Sequence, residues 1–179
     1  QSFVLILADR DGNGAVVMFA ELAAYAASRG LTVVGLLDEV YAEIGYFLEV
    51  NQSKVFEGAS GAAQIAKLAD SYGSNPPKEV DGSAVTNVRD FRKDEIKDEE
   101  GDIVSKEKML FVDLADGRSF AVRPSGTEPK IKYYMFGRSV PAAGQKLSAD
   151  ELAAAKTKVS AGLDSMWAWL EKDIDARLA

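Results

Sequence analysis

An α+β fold is what this sequence predicts: a compact antiparallel sheet with helices on one face, preceded by the tail of an α/β domain. Three observations carry that expectation. Residues 109–123 form a hairpin pattern around Asp116-Gly117, and a capped helix with a long apolar stripe begins at Ser148. The first 47 residues hold one strand and two helices, too little to close a core.

In chain order, Phe3-Val4-Leu5-Ile6-Leu7 is a short apolar run of the kind buried on both faces of a sheet. Asp9-Arg10-Asp11-Gly12-Asn13-Gly14 makes a turn. Val16, Val17, Phe19, Ala20, Ala23, Ala24 and Ala27 then line a broad helical face. It stops at Arg29-Gly30, a basic last turn with glycine in the C′ position. Leu31-Thr32 opens a second helix, Val33 to about Phe47. A lone strand has no sheet partners, so residues 1–47 read as the end of an α/β domain whose beginning lies outside the chain. Residues 48–179 read as a second domain.

In that second domain the pattern predicts a strand over 48–56, a helix over 58–72 ended by Gly73-Ser74-Asn75-Pro76-Pro77, and a strand over 79–92. Residues 93–108 are dense in both charge signs and poor in apolar side chains, which makes them a solvated excursion. Strands at 109–114 and 118–123 flank the Asp-Gly turn, and 131–136 is another strand. Ser148 and Glu151 form a capping box, and Leu152, Val159, Leu163, Met166, Trp167, Leu170 and Ile174 mark the buried stripe of the last helix. Trp167 reads as core, with Trp169 at an edge.

Composition narrows the chemistry. The chain is 47% hydrophobic and 27% charged, with no cysteine and no histidine. Thiolate metal sites and disulfides are excluded, as is the side chain most used for proton transfer near neutral pH. No apolar run approaches the ~18 residues of a membrane helix. The net charge of −7 argues against nucleic acid and anionic membranes as partners, and a cytoplasmic setting is the expectation. Against this acidic background Arg118, Arg123, Lys130 and Lys132 form a basic cluster.

Most of that cluster belongs to Arg123-Pro124-Ser125-Gly126-Thr127-Glu128-Pro129-Lys130, set between two strands. Arg123 offers a planar fork that matches phosphate oxygens two at a time. Ser125 and Thr127 add short-reach hydroxyls, and Gly126 lets backbone N–H groups approach an anion. The two prolines stiffen the loop, so less entropy is lost on binding. A rigid turn with incidental charge is the plainer alternative. Asp9-x-Asp11-x-Asn13-Gly14 matches half of a calcium loop, but Ala20 stands where the bidentate carboxylate belongs, so a structural turn is preferred.

The stretch from Val122 to Tyr134 resembles the phosphate-binding loop of the α-D-phosphohexomutase family, which includes phosphoglucomutases and phosphomannomutases. Asp9-Arg10-Asp11-Gly12 is similar to the Arg-Asp-Lys-Asp-Gly stretch of that family's third domain. Ala20–Tyr25, Leu36–Tyr41 and Phe56–Gly61 also look family-like. The resemblance implies a four-domain enzyme with phosphoserine, Mg²⁺ and sugar-recognition loops in the first three domains. Residues 1–47 would then end the third domain, and 48–179 would be the fourth, with a TATA-box-binding-protein-like fold.

It further implies that Arg123, Ser125, Gly126, Thr127 and, more weakly, Lys130 bind the non-transferring phosphate of a hexose phosphate. Phosphoryl transfer would proceed through a glucose 1,6-bisphosphate-type intermediate, with Mg²⁺ in the full-length enzyme bound by ligands outside this chain. No catalytic or metal-binding residue is expected here, so the chain alone should be inactive. The implied partners are the sugar phosphate and the N-terminal domains of the same polypeptide. The family's Glu-Glu-Ser-x-Gly motif is absent at Gln1-Ser2-Phe3-Val4. Lys130-Ile131-Lys132-Tyr133-Tyr134 leans toward the phosphoglucomutase branch; a phosphomannomutase, a phosphopentomutase and a non-catalytic anion-binding module are the alternatives.

Overall fold

The computed structural model describes residues 12–58, 60–97 and 100–179, in two compact units. The described residues through Gly45, with Pro141–Leu152, make the first; Tyr46–Val140 with Ala153–Ala179 make the second. The sequence readings at Phe3–Leu7 and Asp9–Asp11 lie outside the described residues.

The first unit holds α1 (Gly12–Ser28) and α2 (Val33–Ile44). Gly30 has φ of 72°, and the Leu31 and Gly30 amides donate to the Ala26 and Ala27 carbonyls at 2.9 and 3.0 Å. This is the paired closure of a Schellman motif, which glycine permits without strain. Thr32 caps α2 by accepting from the Gly35 amide at 3.0 Å. The helix stops three residues before the expected Phe47, because Gly45 turns away at φ 103° and Tyr46 begins a strand. Residues 141–152 are tied to α2 by the Leu147 amide donating to the Ala42 carbonyl and by a Lys146–Glu43 ion pair. The capping box is present: Ser148 N–H donates to Glu151 Oε2 at 2.8 Å, and Glu151 N–H to Ser148 Oγ at 3.3 Å. Much of the apolar surface of α1 and α2 is exposed, including Val16, Phe19, Leu22, Val34 and Ile44. No single described helix is long and apolar enough to cross a membrane.

The second unit is a six-stranded antiparallel sheet. Its strands are β1 (Tyr46–Val55), β2 (Glu79–Val80), β3 (Ser83–Asp90), β4 (Leu110–Leu114), β5 (Ser119–Pro124) and β6 (Lys130–Ser139), in the spatial order β1-β6-β5-β4-β3-β2. The expected strand over 79–92 is two strands. Asp81 and Gly82 have φ of 48° and 76°, the two positive angles of a tight hairpin turn, and they pair Val80 with Ser83. The described residues of the 93–108 excursion are mostly exposed, and Lys97 and Ile103 form an isolated bridge.

Helices α3 (Gly61–Ser74) and α4 (Ala149–Leu178) supply the apolar residues that cover one face of the sheet. On β6, Ile131, Tyr133 and Met135 are buried and alternate with half-exposed neighbours, the period-2 signature of a sheet covered on one side. Leu68, Tyr72, Leu163, Met166, Leu170 and Ile174 complete the core. Burying each such aliphatic side chain contributes about 1.5–3 kcal/mol. Tyr133 meets Tyr72 and Trp167 edge-on at 6.2 and 5.6 Å, and Trp169 packs partly buried beside the same core. At Gly137 an added Cβ would lie 2.9 Å from Val159, so α4 crosses β6 where only glycine fits.

Candidate functional site

The antiparallel register decides which residues can meet an anion. β5 pairs with β6 from Ser119↔Phe136 to Pro124↔Ile131, which sets Arg123 directly opposite Lys132. Both belong to the face that the helices leave open, since Val122, Ile131 and Tyr133 point the other way into the core. Between the strands the Ser125 amide donates to the Lys130 carbonyl at 2.9 Å, and the Lys130 amide to the Glu128 carbonyl at 2.7 Å. The Phe56 amide, just past β1, donates to the Pro129 carbonyl at 2.8 Å. A narrow, pinned loop results, with Gly126, Thr127 and Glu128 exposed at its tip and Ser125 half-buried.

Each loop cation has a carboxylate beside it. Arg123 Nη2 lies 3.2 Å from Glu107 Oε2, both side chains about half exposed, and Lys130 Nζ lies 2.7 Å from Glu128 Oε2. The Lys130 hydrogen bond and charge hold the Glu128 carboxyl below its ordinary range. Three cations, Arg123, Lys130 and Lys132, thus face two carboxylates, which leaves a local positive excess in a chain of net charge −7.

Gly126 has no internal reason to be glycine. Its φ lies outside the left-handed region, and a Cβ built there meets nothing within 4 Å. The open space beside its backbone is what an approaching ligand would use.

Beside the loop is a cleft of about 510 Å³. Ala62, Ile65 and Ala66 of α3 form one wall; Pro124, Ser125 and Pro129 form the other, with Arg92 and Lys108 also lining it. Arg92 is committed. Its Nε and Nη2 donate to Asp90 at 2.8 and 2.7 Å, its Nη1 to Asp70 at 2.6 Å, and those bonds hold the Asp90 carboxyl below the usual carboxylate range. Lys108 has no carboxylate within ion-pair reach among the described residues.

Arg118 does not belong to the basic cluster in which the sequence placed it. It immediately precedes β5, five residues from Arg123 in extended chain and therefore on the opposite face. Its Nη1 donates to Asp81 Oδ2 at 2.6 Å and to the Gly162 carbonyl at 2.7 Å, and its Nε to Asp116 Oδ2 at 2.8 Å. Ser165 Oγ donates to the other Asp81 oxygen at 2.8 Å. Only 14% of the Arg118 side chain is exposed. The network joins two turns to α4 and leaves no room for an anion.

Sequence reasoning also passed over Glu107, which it placed in the solvated excursion. The signal was there in the hairpin: Phe111 pairs with Ala121, and continuing that register sets residue 107 diagonal to Arg123 on the same face. Among the described residues no group of three or more acidic side chains gathers to hold a metal ion.

Residues 75–155 match the family described as phosphoglucomutase/phosphomannomutase, C-terminal domain. That stretch of the chain is the part recognised as the C-terminal domain of the family. A phosphoglucomutase of Staphylococcus aureus strain bovine RF122 is 31% identical over 131 residues, 71% of this chain and 24% of the relative. One from Staphylococcus haemolyticus is 30% identical over the same shares. The chain therefore spans about a quarter of the length of these curated relatives. Among solved structures, the open form of Paramecium parafusin, titled a phosphoglucomutase, aligns with a TM-score of 0.42 and 15% identity. It covers 93% of this chain and 28% of its own.

Proposed function

We propose that the loop from Arg123 to Lys130 binds the non-transferring phosphate of a hexose phosphate, as one part of a phosphoglucomutase-type enzyme that interconverts the 1- and 6-phosphates. The observation that carries this reading is the loop itself. A pinned β5–β6 turn offers Arg123 half exposed on the open sheet face, with Gly126 beside empty space and Lys130 and Lys132 adding positive field. Arg123 would grip two phosphate oxygens at once, Ser125 and Thr127 would donate from their hydroxyls, and the amide of Gly126 would close on a third.

Holding the spectator phosphate is positioning work: it fixes the sugar so that the reacting phosphate meets the transferring group in line. The phosphoserine and the Mg²⁺ site of that reaction belong to other domains in this reading. Residues 1–47 would be the end of the preceding α/β domain. The exposed apolar surface of α1 and α2 supports that assignment, because such a surface is one that sheet packing would cover.

The test is a titration of the chain with inorganic phosphate, followed by amide NMR. Shifts centred on residues 123–130 are expected, and shifts centred elsewhere would overturn the site. The chain alone is expected to show no turnover of glucose 1-phosphate; measurable turnover would contradict the division of labour.

A further inference from the structure

We infer that Glu107 is an internal counter-ion that pairs with Arg123 and must be displaced by an incoming phosphate, so that it sets the affinity and charge selectivity of the loop. This deepens the phosphate-site reading and rests on it. Glu107 Oε2 stands 3.2 Å from Arg123 Nη2, and no other ion pair engages the Arg123 side chain among the described residues. The contact is a single one, where a guanidinium can offer a carboxylate two parallel bonds. Both side chains are about half exposed, so the pair is screened and weak, and a doubly charged phosphate competes well against it.

The backbone around Glu107 is fixed while its side chain is free to leave. Its amide donates to the Phe91 carbonyl at 3.2 Å, and the Phe91 amide to the Met109 carbonyl at 3.0 Å, which anchors the return of the excursion to the start of β4. A rotamer change at Glu107 therefore clears Arg123 without moving the sheet. Glu128 stands in the same relation to Lys130 at 2.7 Å. The loop is thus charge-compensated twice, and a ligand has to bring more negative charge than a carboxylate to gain from displacing both.

The experiment compares the full 179-residue chain with Glu107→Gln, titrating each with inorganic phosphate at low ionic strength. Amide shifts report the site, and the side-chain carboxyl carbon of Glu107 is followed in the wild type. Glu107→Gln is expected to bind phosphate about two- to five-fold more tightly with an unchanged unfolding midpoint. The Glu107 carboxyl signal is expected to move toward that of a solvated carboxylate as phosphate fills the wild-type site. Equal or weaker binding by Glu107→Gln, with shifts still centred on 123–130, overturns the counter-ion role and leaves the phosphate site standing. Absence of shifts at 123–130 in both proteins overturns the site, and the role of Glu107 with it.

Discussion

Arg118, just before β5, and Arg123, near its end, are the same residue type held in opposite ways. Arg118 enters the strand buried, donating to Asp81, Asp116 and the Gly162 carbonyl; Arg123 leaves it half exposed with one loose contact to Glu107. Five residues of extended chain put the two about 17 Å apart and on opposite faces of the sheet. An arginine whose donors are all spoken for within the protein holds a fold together. One whose fork is left nearly open has donors that a ligand could engage, which is the role proposed for Arg123.

The largest effect that would sharpen this contrast is on stability. Arg118→Ala leaves Asp81 without its charged partner, and chemical denaturation is expected to register a loss of about 2–4 kcal/mol. A loss no larger than that of an ordinary surface substitution would break the contrast from the structural side. The folded fraction of Arg118→Ala should still show phosphate shifts at 123–130.

Acid provides a second handle on the same end. Burial opposes ionisation of Asp81, but hydrogen bonds from Arg118 and Ser165 outweigh it and hold the carboxyl below the usual range. A carboxyl with a depressed folded-state pKa contributes stability above its unfolded value, about 3.9, and loses it as pH falls through the folded value. The deficit of Arg118→Ala relative to wild type should therefore shrink below about pH 4 in denaturation curves. A deficit that stayed constant into acid would detach Asp81 from the network.

At the other end the expected changes are in binding. Arg123→Ala removes a charge-assisted donor pair and should weaken phosphate binding by about 1.5–3 kcal/mol, read by calorimetric or NMR titration. Its stability should stay within about 0.5 kcal/mol of wild type. Gly126→Ala is the smallest probe. The added methyl meets open space, so folding should change by less than about 0.5 kcal/mol while phosphate affinity falls. Unchanged affinity would mean that ligands do not approach the Gly126 backbone.

How much of this was legible in the sequence depended on range. Signals that act over a few residues were plain: the glycine closure at Gly30, the helix opening after Leu31-Thr32, the Ser148–Glu151 box and the apolar stripe of α4 all stand where their chemistry put them. Asp81-Gly82 carried the same turn dipeptide as Asp116-Gly117, yet the alternation from 79 to 92 masked it. The helix expected to reach Phe47 overran Gly45 because Tyr46, Phe47 and Leu48 extend the apolar character across the boundary.

Grouping Arg118 with Arg123 erred by counting spacing along the chain. Two residues an odd number apart in a strand face opposite ways, and only the register assigns each its neighbours. The loop itself, Arg123 to Lys130, was the most readable feature, because its donors lie in one short segment. Its carboxylate partner Glu107 lies sixteen positions away, and only the hairpin register carried past the end of β4 brings the two together.

The proposed division of labour is a structural arginine just before β5 and a ligand arginine near its end. It is tested most directly by following amide and arginine side-chain signals of the wild-type chain while adding glucose 6-phosphate. The expected result is a saturable change at Arg123 and the amides of residues 125–130, with Arg118 and residues 115–119 unmoved. Movement centred on Arg118, or no change at Arg123 at saturating ligand, would contradict it.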